Sequence, residues 1–167
     1  MTDSILPILR EASKVILDIY ADEDRFHTEV KKDHSPLTEA DKRSNKIICE
    51  ALAELYPEIP VISEESKQVE YAIRAGYKSF FLVDPLDGTK EFIRGSDEWS
   101  ISVLVAHSAQ LEDSLHEAFI FQPKTGFIQS HLSGATPNIS SKKILVSRSE
   151  WLANQHPKSF EDYLIEP

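Results

Sequence analysis

The amino-acid sequence predicts an α/β protein whose N-terminal part is an α+β domain. Two segments near the N-terminus, 3–21 and 38–56, repeat apolar residues at the spacing of amphipathic helices. After Pro57 the pattern changes to short apolar runs, separated by Pro, Gly and polar residues, which is typical of strands. Helices followed by a run of strands indicate the α+β arrangement.

The first helix is predicted to begin at a capping Asp3 or Ser4 and to end near Ala21. Its apolar face comprises Ile5, Leu9, Ala12, Ile16 and Ile19. The second helix is predicted from Thr38 to about Tyr56. Its apolar face comprises Ala40, Ile47, Ile48, Ala51, Leu52 and Leu55. The polar stretch between them predicts a surface hairpin or loop, in which Lys31, Lys32 and Asp33 are interpreted as solvated.

Short strands are expected to form the sheet, with one further helix at 68–75. These strands are predicted at 61–62, 79–83, 99–106, 117–122 and 127–131. Residues 133–141 are rich in Ser, Gly, Pro and Asn and predict a linker, followed by a strand at 143–146 and a helix at 150–164. We therefore predict an N-terminal α+β domain over 1–134. Residues 135–167 would be a linker and the start of a truncated C-terminal α/β domain.

Composition excludes several classes of protein. The formal net charge of −10 argues against binding to nucleic acid or to an anionic membrane surface. No apolar run is long enough for a transmembrane segment, and one cysteine, Cys49, excludes an internal disulfide. These features favour a cytoplasmic location; they leave peripheral membrane association and the oligomeric state open.

The most informative segment places two acids around a proline at the end of an apolar run, in the order Asp84-Pro85-Leu86-Asp87. Two acids on one tight turn can converge, with the Leu86 carbonyl between them, and hard cations prefer such oxygen ligands. The amides of Gly88 and Thr89 could hold a phosphate. Phosphatases with an aspartyl nucleophile separate their acids by one residue rather than two, so covalent catalysis by Asp84 is not predicted. An ordinary turn is the alternative interpretation.

Two other segments supply candidate residues. Glu64 and Glu65 follow a predicted strand and could complete a carboxylate cluster, although solvated loop acids are the alternative. Thr38 and Asp41 fit the capping-box spacing, with Asp in place of the usual Glu or Gln. Capping alone explains that spacing, but a helix N-terminus can also meet a phosphate or a bound water.

Three motifs together resemble the inositol monophosphatase superfamily. They are Lys32-Asp33-x-Ser-Pro-Leu-Thr-x-Ala-Asp41, Val61-Ile-Ser-Glu-Glu-Ser66 and Asp84-Pro-Leu-Asp-Gly-Thr-Lys-Glu-Phe92. The Lys90-Glu91-Phe92 ending is similar to the 3′(2′),5′-bisphosphate nucleotidase branch. The resemblance implies a layered αβαβα sandwich of the inositol monophosphatase and fructose bisphosphatase type, in which the first two helices pack on an antiparallel sheet.

The resemblance also implies roles for individual residues. Glu64, Asp84 and Asp87 would bind Mg2+ together with the Leu86 carbonyl. Glu64 and the segment Leu86-Asp87-Gly88-Thr89 would contact the substrate phosphate. Thr89, supported by Asp41 and with Glu64 assisting, would orient and deprotonate a metal-bound water. The implied substrate is a small phosphorylated nucleotide, and the implied activity is a lithium-sensitive phosphatase of sulfate assimilation.

One departure from the family pattern limits these expectations. The family carries a later Trp-Asp pair whose acid is another metal ligand, whereas Trp99 precedes Ser100 and Trp151 precedes Leu152 here. We expect the 167-residue chain by itself to be poorly active. Inositol monophosphatase activity, or a non-catalytic fragment or binding module, are the alternative functions.

Overall fold

The computed structural model describes residues 2–22, 28–31, 36–67, 69–107 and 115–132. It contains helices α1 (Thr2–Tyr20), α2 (Glu39–Leu55), α3 (Tyr71–Arg74) and α4 (Thr89–Ile93). A two-stranded sheet consists of β1 (Glu29–Val30) and β2 (Pro36–Leu37). A five-stranded sheet consists of β3 (Val61–Ser63), β4 (Ser79–Asp87), β5 (Ser100–His107), β6 (Leu115–Gln122) and β7 (Phe127–Leu132), in that spatial order.

The two long helices form where the apolar periodicity predicts them. All five predicted apolar positions of α1 are buried, which confirms its core-facing side. The helix begins at Thr2, so neither Asp3 nor Ser4 is its cap. Helix α2 is bounded by Thr38 and Tyr56, as expected. Leu55, which was assigned to its apolar face, is instead exposed at the C-terminal end.

The five-stranded sheet is mixed rather than purely antiparallel. Strands β4 to β7 pair antiparallel, but β3 pairs parallel to β4, with Ser63 opposite Val83. A parallel pair requires a crossover connection, and the segment that contains α3 provides it. As a result, β3 and β4 run in the same direction, and Glu64 follows the end of β3 beside the acids of β4.

One hydrophobic core joins the helices to one face of the sheet. Helix α1 packs against α2, and α2 contacts β3 and β4. The strands contribute alternate residues, including Phe81 and Val83 from β4 and Val103 and Val105 from β5. The acidic end of β4 is thereby held against α2.

The described chain ends at Leu132, so the predicted linker, the later strand and helix, and the domain boundary near 134 lie outside the described residues. The predicted surface hairpin is present in part as the β1–β2 pair, while Lys32 and Asp33 are among the residues not described. None of the helices in the described ranges has the length and apolar character that a membrane span requires.

Candidate active site

The acidic segment, Asp84–Asp87, is the end of a bulged strand and not the tight turn that the sequence suggests. Asp84 pairs with Ser102 and Asp87 pairs with Ser100, so three steps along β4 oppose two steps along β5. In a regular strand, side chains three residues apart point to opposite faces of the sheet. A bulge inserts one extra residue, so that two such side chains point to the same face. The bulge therefore directs Asp84 and Asp87 toward one side of the sheet.

Burial and neighbouring charge act together on Asp84. Burial is the largest cause that raises the pKa of its carboxyl from 3.8 to about 7. The negative charges of Glu64 and Asp87 raise this pKa further, whereas the hydrogen bond from the Leu86 N–H, at 3.1 Å, lowers it. The structure therefore places Glu64 and Asp87 close enough to Asp84 for their negative charges to act on its carboxyl group.

Glu64 and Glu65 differ sharply in environment. The Glu64 side chain is 53% exposed, whereas that of Glu65 is 7% exposed. The ammonium of Lys31 donates to Glu64 at 2.9 Å and to Glu65 at 2.5 Å. Burial raises the pKa of Glu65, and Lys31 opposes that shift. Lys31 is thus an ion-pair partner at the site, and its interpretation as a solvated residue is wrong.

Asp41 has the capping role that its spacing suggests and a second contact besides. The carboxylate is buried, and its Oδ2 accepts from the N–H of Thr38 at 2.7 Å and from the Thr38 hydroxyl. The other oxygen, Oδ1, accepts from the Thr89 hydroxyl at 3.0 Å. Burial raises the pKa of Asp41, while the hydrogen bonds from Thr38 and Thr89 lower it. The capping prediction is confirmed, and the same side chain joins the start of α2 to the start of α4.

Thr89 also connects to the acidic segment. Its Oγ1 lies 3.2 Å from the carbonyl oxygen of Leu86, so one hydroxyl hydrogen is placed between Asp41 and Leu86. Helix α4, which begins at Thr89, was not predicted from the sequence. The Thr89 hydroxyl therefore links Asp41, which is assigned to proton transfer, with Leu86, which is assigned to phosphate contact.

Gly88 is required by packing as well as by backbone conformation. Its φ is +91°, and a Cβ at this position would lie 2.8 Å from the carbonyl oxygen of Glu98 and 3.3 Å from Cα of Trp99. The side that lacks a Cβ therefore faces the 98–99 backbone. Backbone conformation and this contact are enough to exclude a side chain, and the close approach of a phosphate that the sequence suggests stays a prediction.

Sequence reasoning missed two polar residues of α2 beside the acidic cluster. Ser44 donates to the carbonyl oxygen of Pro85 at 2.9 Å, and Asn45 accepts from the hydroxyl of Ser63 at 2.6 Å. Their spacing after Asp41 follows the helical turn, but nothing local in the sequence identifies their partners. Cys49 lies one turn further on, where its thiol donates to the side-chain oxygen Oδ1 of Asn45 at 3.2 Å, and burial raises the pKa of the thiol. This environment agrees with the predicted packing role.

Across the described residues, no group of three His, Cys, Asp or Glu side chains forms a preassembled metal site. The charges of Glu64 and Asp87 act on Asp84, but Glu64 is paired with Lys31. The assignments of Glu64, Asp84, Leu86 and Asp87 to a metal, and of Asp41 and Thr89 to catalysis, stay predictions.

The chain is similar to a family profile and to curated proteins of known sequence. The profile of the inositol monophosphatase family matches residues 2–159. The 3'(2'),5'-bisphosphate nucleotidase CysQ of Haemophilus influenzae is 34% identical over 103 residues, which are 62% of this chain and 38% of that protein. The protein of the same name from Buchnera aphidicola is 29% identical over 170 residues, or 98% of this chain and 63% of that protein.

Solved structures agree in fold. CysQ from Bacteroides thetaiotaomicron superposes with a TM-score of 0.65 at 32% identity, covering 79% of this chain and 45% of that chain. The extragenic suppressor protein suhB from Bartonella henselae gives a TM-score of 0.69 at 21% identity, covering 80% and 49%. These matches confirm the predicted α/β fold of the inositol monophosphatase type. The chain spans between 38% and 63% of the length of the curated relatives above. With the family profile matched over almost the whole chain, this protein belongs to the inositol monophosphatase family.

Proposed function

We propose that this chain contributes the metal-binding part of a Mg2+-dependent phosphatase. Its substrate would be adenosine 3′,5′-bisphosphate or the corresponding 5′-phosphosulfate, from which it removes the 3′-phosphate. The observation that carries the proposal is that Glu64 and Asp87 lie close enough to the half-buried Asp84 for their charges to raise its pKa. A protein has little reason to bring three carboxylates together unless a cation or a proton compensates their charge.

The chemistry of the donor set fits Mg2+. Asp84, Asp87 and Glu64 offer carboxylate oxygens, and Leu86 adds a carbonyl oxygen, all of the hard type that this ion prefers. The raised pKa of Asp84 indicates that ionising all three acids is unfavourable without a cation. Glu64 is exposed enough to exchange its contact with Lys31 for a metal contact. Bound Mg2+ would lower the pKa of water and neutralise charge on the phosphate.

The pair Thr89–Asp41 supplies a path for a proton. Because the Thr89 hydroxyl donates to Asp41, its oxygen lone pairs remain able to accept a hydrogen from the attacking water. The water oxygen would bond to phosphorus as the bond to the leaving 3′-oxygen breaks. One water proton would pass through Thr89 to Asp41, and the released 3′-oxygen would take up a proton from solvent to become a hydroxyl. Burial makes the Asp41 carboxylate a stronger base, which suits this role. Glu64 would assist in orienting the water.

The same segments would hold the phosphate. The amides of Gly88 and Thr89 follow directly after Asp87, and Leu86 stands between the two acids. Anchoring by Thr89 to Asp41 and Leu86 fixes this backbone relative to the acids, which is the type of preorganisation that phosphoryl transfer needs.

The choice of substrate rests on the relatives. The CysQ proteins of Haemophilus influenzae and Buchnera aphidicola are named as 3'(2'),5'-bisphosphate nucleotidases. The Lys90-Glu91-Phe92 ending resembles that branch as well. A nucleotide is therefore a better candidate substrate than an inositol phosphate. We also expect inhibition by Li+ and a cytoplasmic location, as predicted from the sequence.

Phosphate release from a small substrate panel tests the proposal. Adenosine 3′,5′-bisphosphate, its 5′-phosphosulfate form and inositol 1-phosphate are compared with Mg2+ and with EDTA. The chain is tested together with any residues that its gene encodes after Pro167. Asp84→Asn and Glu64→Gln should abolish turnover, whereas Glu65→Gln is the matched control that should retain it. Release that persists in EDTA would refute the metal mechanism, and preference for inositol 1-phosphate would refute the substrate.

A further inference from the structure

Helix α2 holds both acidic segments through two adjacent side chains. Ser44 is fully buried, and its hydroxyl donates to the carbonyl oxygen of Pro85 at 2.9 Å. Asn45 is half-buried and contacts the end of β3 and the loop that follows it: it accepts from Ser63 Oγ at 2.6 Å and lies 3.4 Å from Ser66 Oγ. One helical turn therefore reaches the segment of Asp84 and the segment of Glu64 at the same time.

We propose that Ser44 and Asn45 are positioning residues that set the separation between Glu64 and the acids of β4, and so the affinity of the site for a divalent cation. This inference rests on the proposed metal-binding function. Neither residue would touch the cation or the substrate. Groups that orient ligands in this way typically change metal affinity or activity by about 10- to 100-fold when they are removed.

The acidic segment needs an anchor outside its own sheet. Pro85 lacks an N–H, and the pairing of β4 with β5 shifts register between Asp84 and Asp87. The ladder of strand hydrogen bonds therefore fixes this segment less firmly than the rest of β4. The Ser44 hydroxyl provides a fixed point between the two acids, and its complete burial makes a lost hydrogen bond costly.

The Glu64 loop is anchored on two sides. The Glu64 N–H donates to the carbonyl oxygen of Val83 at 3.0 Å, which ties the loop to β4. Ser63 accepts from the Glu65 N–H at 3.3 Å and donates to Asn45, which ties the loop to α2. Without Asn45, the backbone contact to Val83 and the contacts of the Cys49 thiol with Ser63 and Ser66 would remain, but the loop would lose its 2.6 Å hydrogen bond to α2, the helix that holds Pro85.

Mn2+ binding, followed by the loss of the free-ion electron paramagnetic resonance signal, tests this role in the full 167-residue chain. Ser44→Ala and Asn45→Ala should each raise the Kd for Mn2+ by about tenfold or more. Ser13→Ala, which removes a buried hydroxyl from α1, is the matched control and should leave the Kd unchanged. Thermal unfolding of all three variants shows that any change in Kd is not a general loss of fold.

A double variant identifies the contact that matters. Ser63→Ala should raise the Kd for Mn2+ less in the Asn45→Ala variant than in the wild type, because the hydrogen bond between Asn45 and Ser63 is already lost there and only the contact from the Glu65 N–H is left to remove. If Ser44→Ala fails to fold, Asn45→Ala carries the decision. A Kd for folded Asn45→Ala equal to that of Ser13→Ala would overturn the inference while leaving the proposed function intact. A Kd that Asp84→Asn does not change would overturn both.

Discussion

Thr89 donates its hydroxyl hydrogen to Asp41 across 3.0 Å, although the two residues are 48 positions apart in the chain. Asp41 belongs to the first turn of α2, and Thr89 is the first residue of α4. The contact lies where a cap of one helix meets the start of another. Asp41, which caps α2, therefore also accepts a hydrogen bond from Thr89, which closely follows the acidic segment.

Replacement of Asp41 by Asn separates capping from proton transfer. The amide can keep an oxygen toward Thr38, so the free energy of unfolding should fall by only about 1 kcal/mol. The amide cannot take up a proton from Thr89, so kcat should fall by roughly 10²- to 10⁴-fold. Phosphate release and chemical denaturation of the same sample measure the two effects.

Glu39→Gln is the matched control for this variant. Glu39 also lies in the first turn of α2, but it is paired with Arg43 one turn further along the helix. We expect a small loss of stability and an unchanged kcat. A kcat of Asp41→Asn that equals the wild-type value would leave Asp41 with a capping role alone.

Local patterns in the sequence predict the helices well because their causes are local. The apolar spacing and the capping box fix α2 between Thr38 and Tyr56, where the structure has its two caps. The same holds for the buried face of α1. In both cases the residues that decide the element lie within a few turns of each other.

Contacts between distant segments explain what the sequence left undetermined. The parallel pairing of β3 with β4 and the bulge between Asp84 and Asp87 depend on which strands become neighbours. Lys31 contacts Glu64 and Glu65 only because the fold brings these distant residues together, and no pattern in the sequence around Lys31 predicts the two ion pairs. The acids of the site could be selected from their motifs, but the residues that hold and neutralise them could not.

The pH dependence of stability should reveal Asp84. Burial and the charges of Glu64 and Asp87 raise the pKa of its carboxyl from an ordinary value of 3.8, expected in the unfolded chain, to about 7 in the folded protein. Between these values the folded state holds a proton that the unfolded state has released. The free energy of unfolding should therefore fall as pH rises from about 4 to about 7 without metal. Urea denaturation at several pH values measures the slope.

Mg2+ and Asp84→Asn should both flatten this slope. The cation favours the ionised form, and the amide does not titrate. Asp18→Asn, on the exposed side of α1, is the control that should retain the wild-type slope. If Asp84→Asn and the wild type had the same slope over this pH range, Asp84 would not be the group responsible.

Loss of Lys31 should destabilise the fold through Glu65. Lys31→Met leaves the Glu65 carboxylate, with a side chain only 7% exposed, without its ammonium partner. We expect the free energy of unfolding to fall by on the order of 2 kcal/mol. The double variant Lys31→Met/Glu65→Gln removes the charge that was left unpaired and should recover part of the loss. A double variant less stable than Lys31→Met would contradict this account, and equilibrium denaturation measures all three proteins.

Gly88→Ala should be the most damaging of three glycine substitutions. Gly88, Gly95 and Gly126 all have positive φ, so an added Cβ costs about 1–2 kcal/mol at each. At Gly88 alone the Cβ would also lie 2.8 Å from the Glu98 carbonyl oxygen, and at Gly95 and Gly126 it would meet nothing within 4 Å. This overlap should cost about 1–3 kcal/mol more. Because the displaced backbone continues into Thr89, Gly88→Ala should also weaken Mn2+ binding, while Gly95→Ala and Gly126→Ala should not. Equal losses of stability in the three variants would show that backbone conformation accounts for the glycine and that contact with Glu98 contributes nothing.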